Sequence, residues 1–182
     1  MAVSRRNVIF ALFALIGLLL DQITKWWVVA HIELNVGEIQ VIPGLFSIVH
    51  AQNPGAAFGL FGNFAYRHYL FGLFTLIAGA VILDLFRKLP REEWFMSAAL
   101  GLIMSGAVGN AIDRVRQAYV TDFLRVYTEV AGPKQWLFDT FGTSEWPTFN
   151  VADAALVVGV LMFIVHQLFL EDADEEEETA AA

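Results

Sequence analysis

"WFMSAALGLIMSGAVGNAI", residues 94–112, contains no charged side chain and is apolar apart from two serines and one asparagine. A helix rises about 1.5 Å per residue, so roughly 20 mostly apolar residues cross the ~30 Å hydrocarbon core of a bilayer. An uncharged stretch of this length predicts a membrane-spanning helix.

Three further stretches meet the same criterion, at residues 8–29, 69–86 and 149–170. The chain of 182 residues is 57% hydrophobic and 16% charged, with a mean hydropathy of +0.58, which is too apolar for an ordinary soluble domain. The first stretch could be mistaken for a cleaved signal peptide, but DQITKWWVVAHI makes a poor processing site and three more stretches follow. We predict an all-α integral membrane protein whose four transmembrane helices form a single domain over residues 1–170.

The acidic character of the chain comes from its carboxyl end. The formal net charge is −8, and seven of the acidic side chains lie in EDADEEEETAAA, residues 171–182, so the rest of the chain carries about −1. Such a composition predicts a solvated, disordered tail.

Two longer segments separate the predicted helices on the side of the membrane away from the termini. The first, residues 33–66, has short β-prone runs around the turn dipeptide Pro43-Gly44, which predicts a small sheet on the membrane surface. The second, residues 113–148, is rich in aromatic residues that suit the headgroup level of a bilayer.

The orientation of the chain is not decided by counting basic residues. Each side of the predicted membrane region has five. The positive amino terminus and the very short basic loop RKLPREE favour termini in the cytoplasm, because short cytoplasmic loops are enriched in Lys and Arg.

Charged side chains at membrane depth cost about 2.5–3.5 kcal/mol at the bilayer centre on insertion scales. Asp21 and Lys25 lie four residues apart, so they share a helix face and can form an ion pair. Asp113 and Arg114 can pair at the interface. Asp153 falls in the first turn of the last predicted helix, where a carboxylate offsets unpaired N–H groups and the helix dipole. Taken singly, each of these residues has a structural interpretation.

Taken together, the carboxylates suggest catalysis. The third and fourth predicted helices run antiparallel, which puts Asp122 and Asp153 on the same side of the membrane, with Asn110 and Asn150 each one helical turn before an aspartate. If Asp122 and Asp153 approach closely in a partly dry site, they share one proton and titrate as a pair. Aspartic proteases activate water with this arrangement.

Other peptidase chemistries have less support. The chain has no cysteine, which excludes a cysteine nucleophile, thiolate metal sites and disulfides. It contains no HExxH zinc motif, and no Ser-His pairing stands out. Two alternatives stay open from the residues alone: a small transporter or ion-conducting subunit whose charged residues line a polar path, and an inert assembly factor.

Five short blocks resemble the signature blocks of one family, lipoprotein signal peptidase, also called signal peptidase II. They occur in the family's order, and the resemblance covers the chain from about residue 5 to residue 170. The blocks are DQITKWW (21–27), NPGAAFGLF (53–61), GNAIDRV (109–115), VTDF (120–123) and FNVADAAL (149–156).

The resemblance implies a bacterial inner-membrane aspartyl peptidase. Its substrates are prolipoproteins, cut just before a cysteine that already carries diacylglycerol. Both termini would be cytoplasmic, the active site near the periplasmic face, and the first outward segment a periplasmic β-cradle. Membrane lipid is an expected partner and nucleic acid is not, a monomer suffices, and neither a cofactor nor a metal is expected.

The resemblance also implies roles for individual residues. Asp122 and Asp153 match the two catalytic aspartates. The remaining matches divide into Asn53 and Arg114, which would hold the substrate backbone, Asn110 and Asn150, which would orient the aspartates, and Asp21, Lys25 and Asp113, which would support the site.

The chain departs from the family pattern between its two catalytic blocks. The interval of 31 positions from Asp122 to Asp153 is longer than expected, and the extra residues, YTEVAGPKQWLFDTFGTSEW, suggest an enlarged lid over the site. Pro54 follows Asn53 and stiffens that turn while leaving the asparagine side chain available.

Overall fold

The computed structural model describes residues 4–55 and 66–169, and the predicted acidic tail lies outside them. In chain order the elements are α1 (Arg5–His31), β1 (Glu38–Ile42), β2 (Phe46–Asn53), α2 (Arg67–Lys88), α3 (Phe95–Gln117), β3 (Val120–Val126), α4 (Ala131–Phe141) and α5 (Val151–Phe169). Four of the helices, α1, α2, α3 and α5, are long and apolar enough to cross a membrane. The predicted fold class, four apolar helices with a small sheet, is confirmed.

Polar residues mark the ends of the apolar helices. Arg87 and Lys88 occupy the last turn of α2, where cations interact favourably with the helix dipole, and a proline follows shortly after. The Glu93 carboxylate accepts the N–H of Met96 in the first turn of α3 at 3.0 Å. Asp153 lies in the first turn of α5.

The strands form one antiparallel sheet in the order β1-β2-β3. β1 and β2 are joined by a tight turn in which Gly44 has a φ of 74°, a conformation that glycine adopts without steric cost. This hairpin confirms the small sheet predicted for residues 33–66. β3 comes from residues 113–148, and it brings Asp122 opposite Ala51 of β2.

The chain divides into two compact units. In the first, the apolar helices pack around buried Ile82, Met96, Ala99 and Leu100. α3 and α5 approach closely at Gly106, where a Cβ atom would meet the Ala152 carbonyl and lie 2.6 Å from Leu156 Cγ. The described residues of this unit are 4–20, 72–110 and 151–169.

The second unit contains the sheet, α4, the carboxyl ends of α1 and α3 and the amino end of α2, within the described residues 21–55, 66–71 and 111–150. The part of the chain between β3 and α5, predicted as an aromatic loop, contains α4. This helix ends at Gly142, which has a left-handed φ of 74° and donates its N–H to the Phe138 carbonyl at 2.9 Å.

Candidate active site

Asp122 is a buried carboxylate in the second unit, with 3% of its surface exposed. Its Oδ1 accepts an N–H from Asn150 Nδ2 at 2.7 Å, and its Oδ2 accepts one from Asn53 Nδ2 at 3.0 Å. β3 supplies the aspartate, β2 supplies Asn53, and Asn150 directly precedes α5. Two amide donors, one on each oxygen, fix the plane of the carboxylate.

Asp153 belongs to the first unit and is half-buried. Its Oδ1 accepts an N–H from Asn110 Nδ2 on α3 at 2.7 Å. The carboxylate sits at the amino end of α5, where the free N–H groups and the helix dipole favour a negative charge.

Each aspartate accepts a hydrogen bond from one of the two asparagines. Asn110 contacts Asp153, which is 43 residues away along the chain, and Asn150 contacts Asp122, which is 28 residues away. Asn150 lies one helical turn before Asp153 in the sequence and donates to Asp122 on β3. Each donor comes from a different element than its acceptor, so the orientation of each carboxylate depends on tertiary structure.

Arg114 and Asn53 meet at the backbone of Gly55. The side-chain Oδ1 of Asn53 accepts the Gly55 N–H at 3.0 Å, and Arg114 Nη2 donates to the Gly55 carbonyl at 3.0 Å. The guanidinium also lies over the ring of Phe71, with 4.5 Å to the ring centroid, a geometry that gives a favourable cation–π interaction. Of the two residues predicted to hold the substrate backbone, Asn53 thus contacts Asp122, and Arg114 is connected to Asn53 through Gly55.

Lys25 lies between two buried carboxylates. Its Nζ is 2.9 Å from Asp21 Oδ2 and 3.0 Å from Asp113 Oδ2. Asp113 Oδ2 also accepts the backbone N–H of Thr121, the residue before Asp122, at 3.1 Å. The cluster joins α1 and α3 to the strand that carries Asp122.

Two glutamines that the sequence analysis did not single out contribute to this region. Gln117 Nε2 donates to the hydroxyl of Thr121 at 3.0 Å, and Gln22 Nε2 donates to Asp21 at 3.0 Å. Thr121 is 1% exposed, so its N–H and its hydroxyl are both satisfied inside the protein. Gln22 lies inside the DQITKWW block, so the sequence could have indicated it. Gln117 lies outside the five blocks, and no motif marks it.

Comparison with known proteins identifies the family. The family model described as signal peptidase (SPase) II matches residues 13–169. The chain belongs to the signal peptidase II family. This membership favours a peptidase over the transporter and assembly-factor alternatives.

Relatives of this family cover most of the chain. The lipoprotein signal peptidase of Geobacter metallireducens is 43% identical over 88% of this chain and 90% of its own length. That of Geobacillus thermodenitrificans is 37% identical over 95% of this chain and 98% of its own length. A bacterial membrane enzyme solved at 1.9 Å resolution has a TM-score of 0.71 and 30% identity, and the match covers 88% of this chain and 93% of that one.

Proposed function

We propose that the protein cleaves the signal peptide from diacylglyceryl-modified prolipoproteins, on the amino-terminal side of the lipidated cysteine. The relatives named lipoprotein signal peptidase support the substrate class. Asp122 and Asp153 act as the catalytic pair. The observation that carries this assignment is that each carboxylate accepts an asparagine amide at 2.7 Å.

The proposed chemistry needs only water as co-substrate. One carboxylate is ionised and takes a proton from the water that attacks the scissile carbonyl carbon, while the other is protonated and gives its proton to the carbonyl oxygen. The resulting tetrahedral diol loses the C–N bond as a proton passes to the leaving nitrogen. The products are a signal peptide with a new carboxylate and a lipoprotein whose lipidated cysteine has a free amine.

Asp122 suits the ionised role in this scheme. An ionised carboxylate only accepts hydrogen bonds and has about four acceptor positions, and Asn53 and Asn150 use two of them on Asp122.

The other polar residues have supporting roles in the proposal. Asn53 and Arg114, held together through Gly55, would bind the substrate backbone beside Asp122. Asn110 and Asn150 would keep the two carboxylates in their reactive orientations. Asp21, Lys25 and Asp113 would fix the strand that carries Asp122 through the backbone of Thr121.

The proposed setting is the bacterial inner membrane. Both termini would be cytoplasmic and the catalytic pair near the periplasmic face, where a substrate held in the bilayer by its acyl chains meets water. One chain supplies every proposed catalytic group, so a monomer would be active.

Replacement of each aspartate tests the catalytic pair. Asp122→Asn and Asp153→Asn keep the shape of the side chain and remove the acid/base function, so we expect each to lower the rate of signal peptide release by roughly 10²–10⁴-fold. The measurement is cleavage of a diacylglyceryl-modified prolipoprotein by purified enzyme.

Asp84→Asn is the matched control, because that carboxylate is 60% exposed and pairs only at the surface with Lys88. We expect this variant to cleave at the native rate. A native rate in either Asp122→Asn or Asp153→Asn would show that the pair is assigned wrongly.

A further inference from the structure

The two ends of residues 127–148, the segment that carries α4, are hydrogen-bonded to each other and form its base. Tyr127 forms a β-bridge with Glu145, and the Thr128 N–H donates to the Ser144 carbonyl at 3.1 Å. The base is also hydrogen-bonded to the β1–β2 turn, where the Gly44 carbonyl accepts the Glu129 N–H at 3.1 Å. The segment is therefore held on the sheet at both of its ends.

α4 presents an apolar stripe with one cation. Lys134, Leu137, Phe138 and Phe141 follow the i, i+3, i+4, i+7 spacing of one helix face. A polar face lies beside it, where Gln135 donates to Asp139 at 2.8 Å.

Leu137 of α4 is half-buried, whereas the aromatic side chains of this helix have little protein to pack against. No residue of α4, all of which the structure describes, is buried, and Phe138 and Phe141 are 59% and 66% exposed. Trp136 packs its ring edge-to-face on Phe141 and is itself 62% exposed. An exposed apolar surface of this kind marks a binding surface for a partner or a membrane.

The segment is tied closely to membrane-spanning helices. β3 begins three residues after α3 ends, and β1 begins seven residues after α1 ends, distances of at most about 10 and 25 Å for extended chain. Exposed Trp26 and Trp27 lie near that end of α1, and tryptophan is enriched where helices leave the hydrocarbon core. The sheet, to which the α4 segment is hydrogen-bonded, is therefore within reach of the bilayer surface.

We propose that α4 is an interfacial helix that docks on the headgroup layer of the membrane through the stripe of Lys134, Leu137, Phe138 and Phe141. Aromatic rings are favoured at this depth, and the lysine stem can lie along the apolar face while its ammonium reaches lipid phosphates. The polar pair Gln135 and Asp139 then faces water. Lipid contacts the exposed face of α4, and the segment attaches the edge of the sheet to the membrane.

Site-specific spin labelling tests the proposal, because the chain has no cysteine and any introduced cysteine is unique. Phe138→Cys on the apolar stripe and Asp139→Cys on the polar face are adjacent positions that serve as matched probes. Each variant is labelled with a nitroxide and reconstituted in vesicles of phosphatidylethanolamine and phosphatidylglycerol. Collision rates are measured with oxygen, which concentrates in lipid, and with a water-soluble nickel chelate.

We expect the ratio of oxygen to nickel collisions to be several-fold higher at position 138 than at position 139. Equal ratios at the two positions would overturn the proposal in favour of a helix standing in water. Protection of position 138 from both reagents would also overturn it, since the stripe would then be covered by protein, as in a lid or a contact between two copies. The readout does not use peptidase activity, so its failure and a failure of the proposed function are distinguishable.

Discussion

Lys25 and Lys88 allow the energetic role of a single cation to be isolated. Each is the second member of an i, i+4 pair with an aspartate, at 2.9 Å from Asp21 and 2.6 Å from Asp84 respectively. The side chain of Lys25 is 5% exposed, whereas that of Lys88 is 71% exposed. The two pairs share spacing and chemistry and differ in burial.

We expect Lys25→Gln to lower the free energy of unfolding by about 3–5 kcal/mol, because it leaves two buried carboxylates without their shared counterion. Lys88→Gln should cost at most about 1 kcal/mol, because water already screens that pair. Thermal unfolding of both variants in detergent micelles measures the difference, which for a chain of this size corresponds to a Tm shift of roughly 6–20 °C for Lys25→Gln. Equal shifts in the two variants would contradict a stabilising role for the buried cluster.

At the scale of elements, Arg125 holds the end of β3 to two other parts of the second unit. Its guanidinium pairs with Glu145 at 2.7 Å and with Glu38 of β1 at 3.3 Å, and it stacks over the ring of Tyr127 at 4.6 Å. The side-chain hydrogen bond from Arg125 lowers the pKa of Glu145 below its ordinary value near 4.5, against the opposing effect of burial. These Arg125 contacts therefore connect the carboxyl end of the α4 segment, at Glu145, to β1 and β3.

This pKa shift predicts how the segment responds to acid. A carboxyl group whose pKa is lower in the folded state stabilises it above the unfolded pKa, and the contribution is lost as the pH falls through the lowered value. We expect amide hydrogen exchange over residues 127–146, corrected for intrinsic rates, to be faster near pH 3 than at pH 6. Glu145→Gln should show weaker protection at pH 6 and little further loss in acid. If hydrogen exchange in the wild-type protein does not change with pH, the Arg125–Glu145 pair does not stabilise this segment.

The elements differ in how far the sequence could predict them. α1, α2, α3 and α5 follow from local composition, because a span of apolar residues is itself the signal. β3 depends on pairing across the chain, as between Phe46 and Val126, and its short VTDF core carries no local sign of that partner. α4 has Gly132 and Pro133 in its first turn, where proline is tolerated, and these residues concealed it as a loop.

The same limit applies to the candidate site. Motif blocks place the aspartates and asparagines along the chain, and Asp21 and Lys25 could be paired from helical spacing alone. The contact of Asn150 with Asp122 depends on how β3 meets the residues before α5, where Phe149 bridges Leu124. The order of the motif blocks along the chain does not predict this contact.

At the scale of the whole molecule, the helices and basic residues bear on orientation. Within the first unit, the guanidinium of Arg6 donates to the Leu89 carbonyl, and the Arg6 N–H donates to the Arg91 carbonyl at 3.4 Å. The amino end of α1 and the turn between α2 and α3 thus meet at one end of that unit, as two successive membrane crossings require. Arg87, Lys88 and Arg91 place three basic side chains in or beside this turn, together with two glutamates.

Three basic residues in a turn this short predict that it stays in the cytoplasm, because basic residues in short loops resist translocation and acidic residues contribute little. In intact spheroplasts, a membrane-impermeant maleimide should leave Glu92→Cys, in that turn, unlabelled until the membrane is permeabilised. It should label Asp139→Cys, one crossing later, from outside. The absence of native cysteine makes each signal specific to its site. The reverse pattern would place the proposed catalytic pair near the cytoplasmic face. This result would contradict the proposed reaction, which takes place near the periplasmic face.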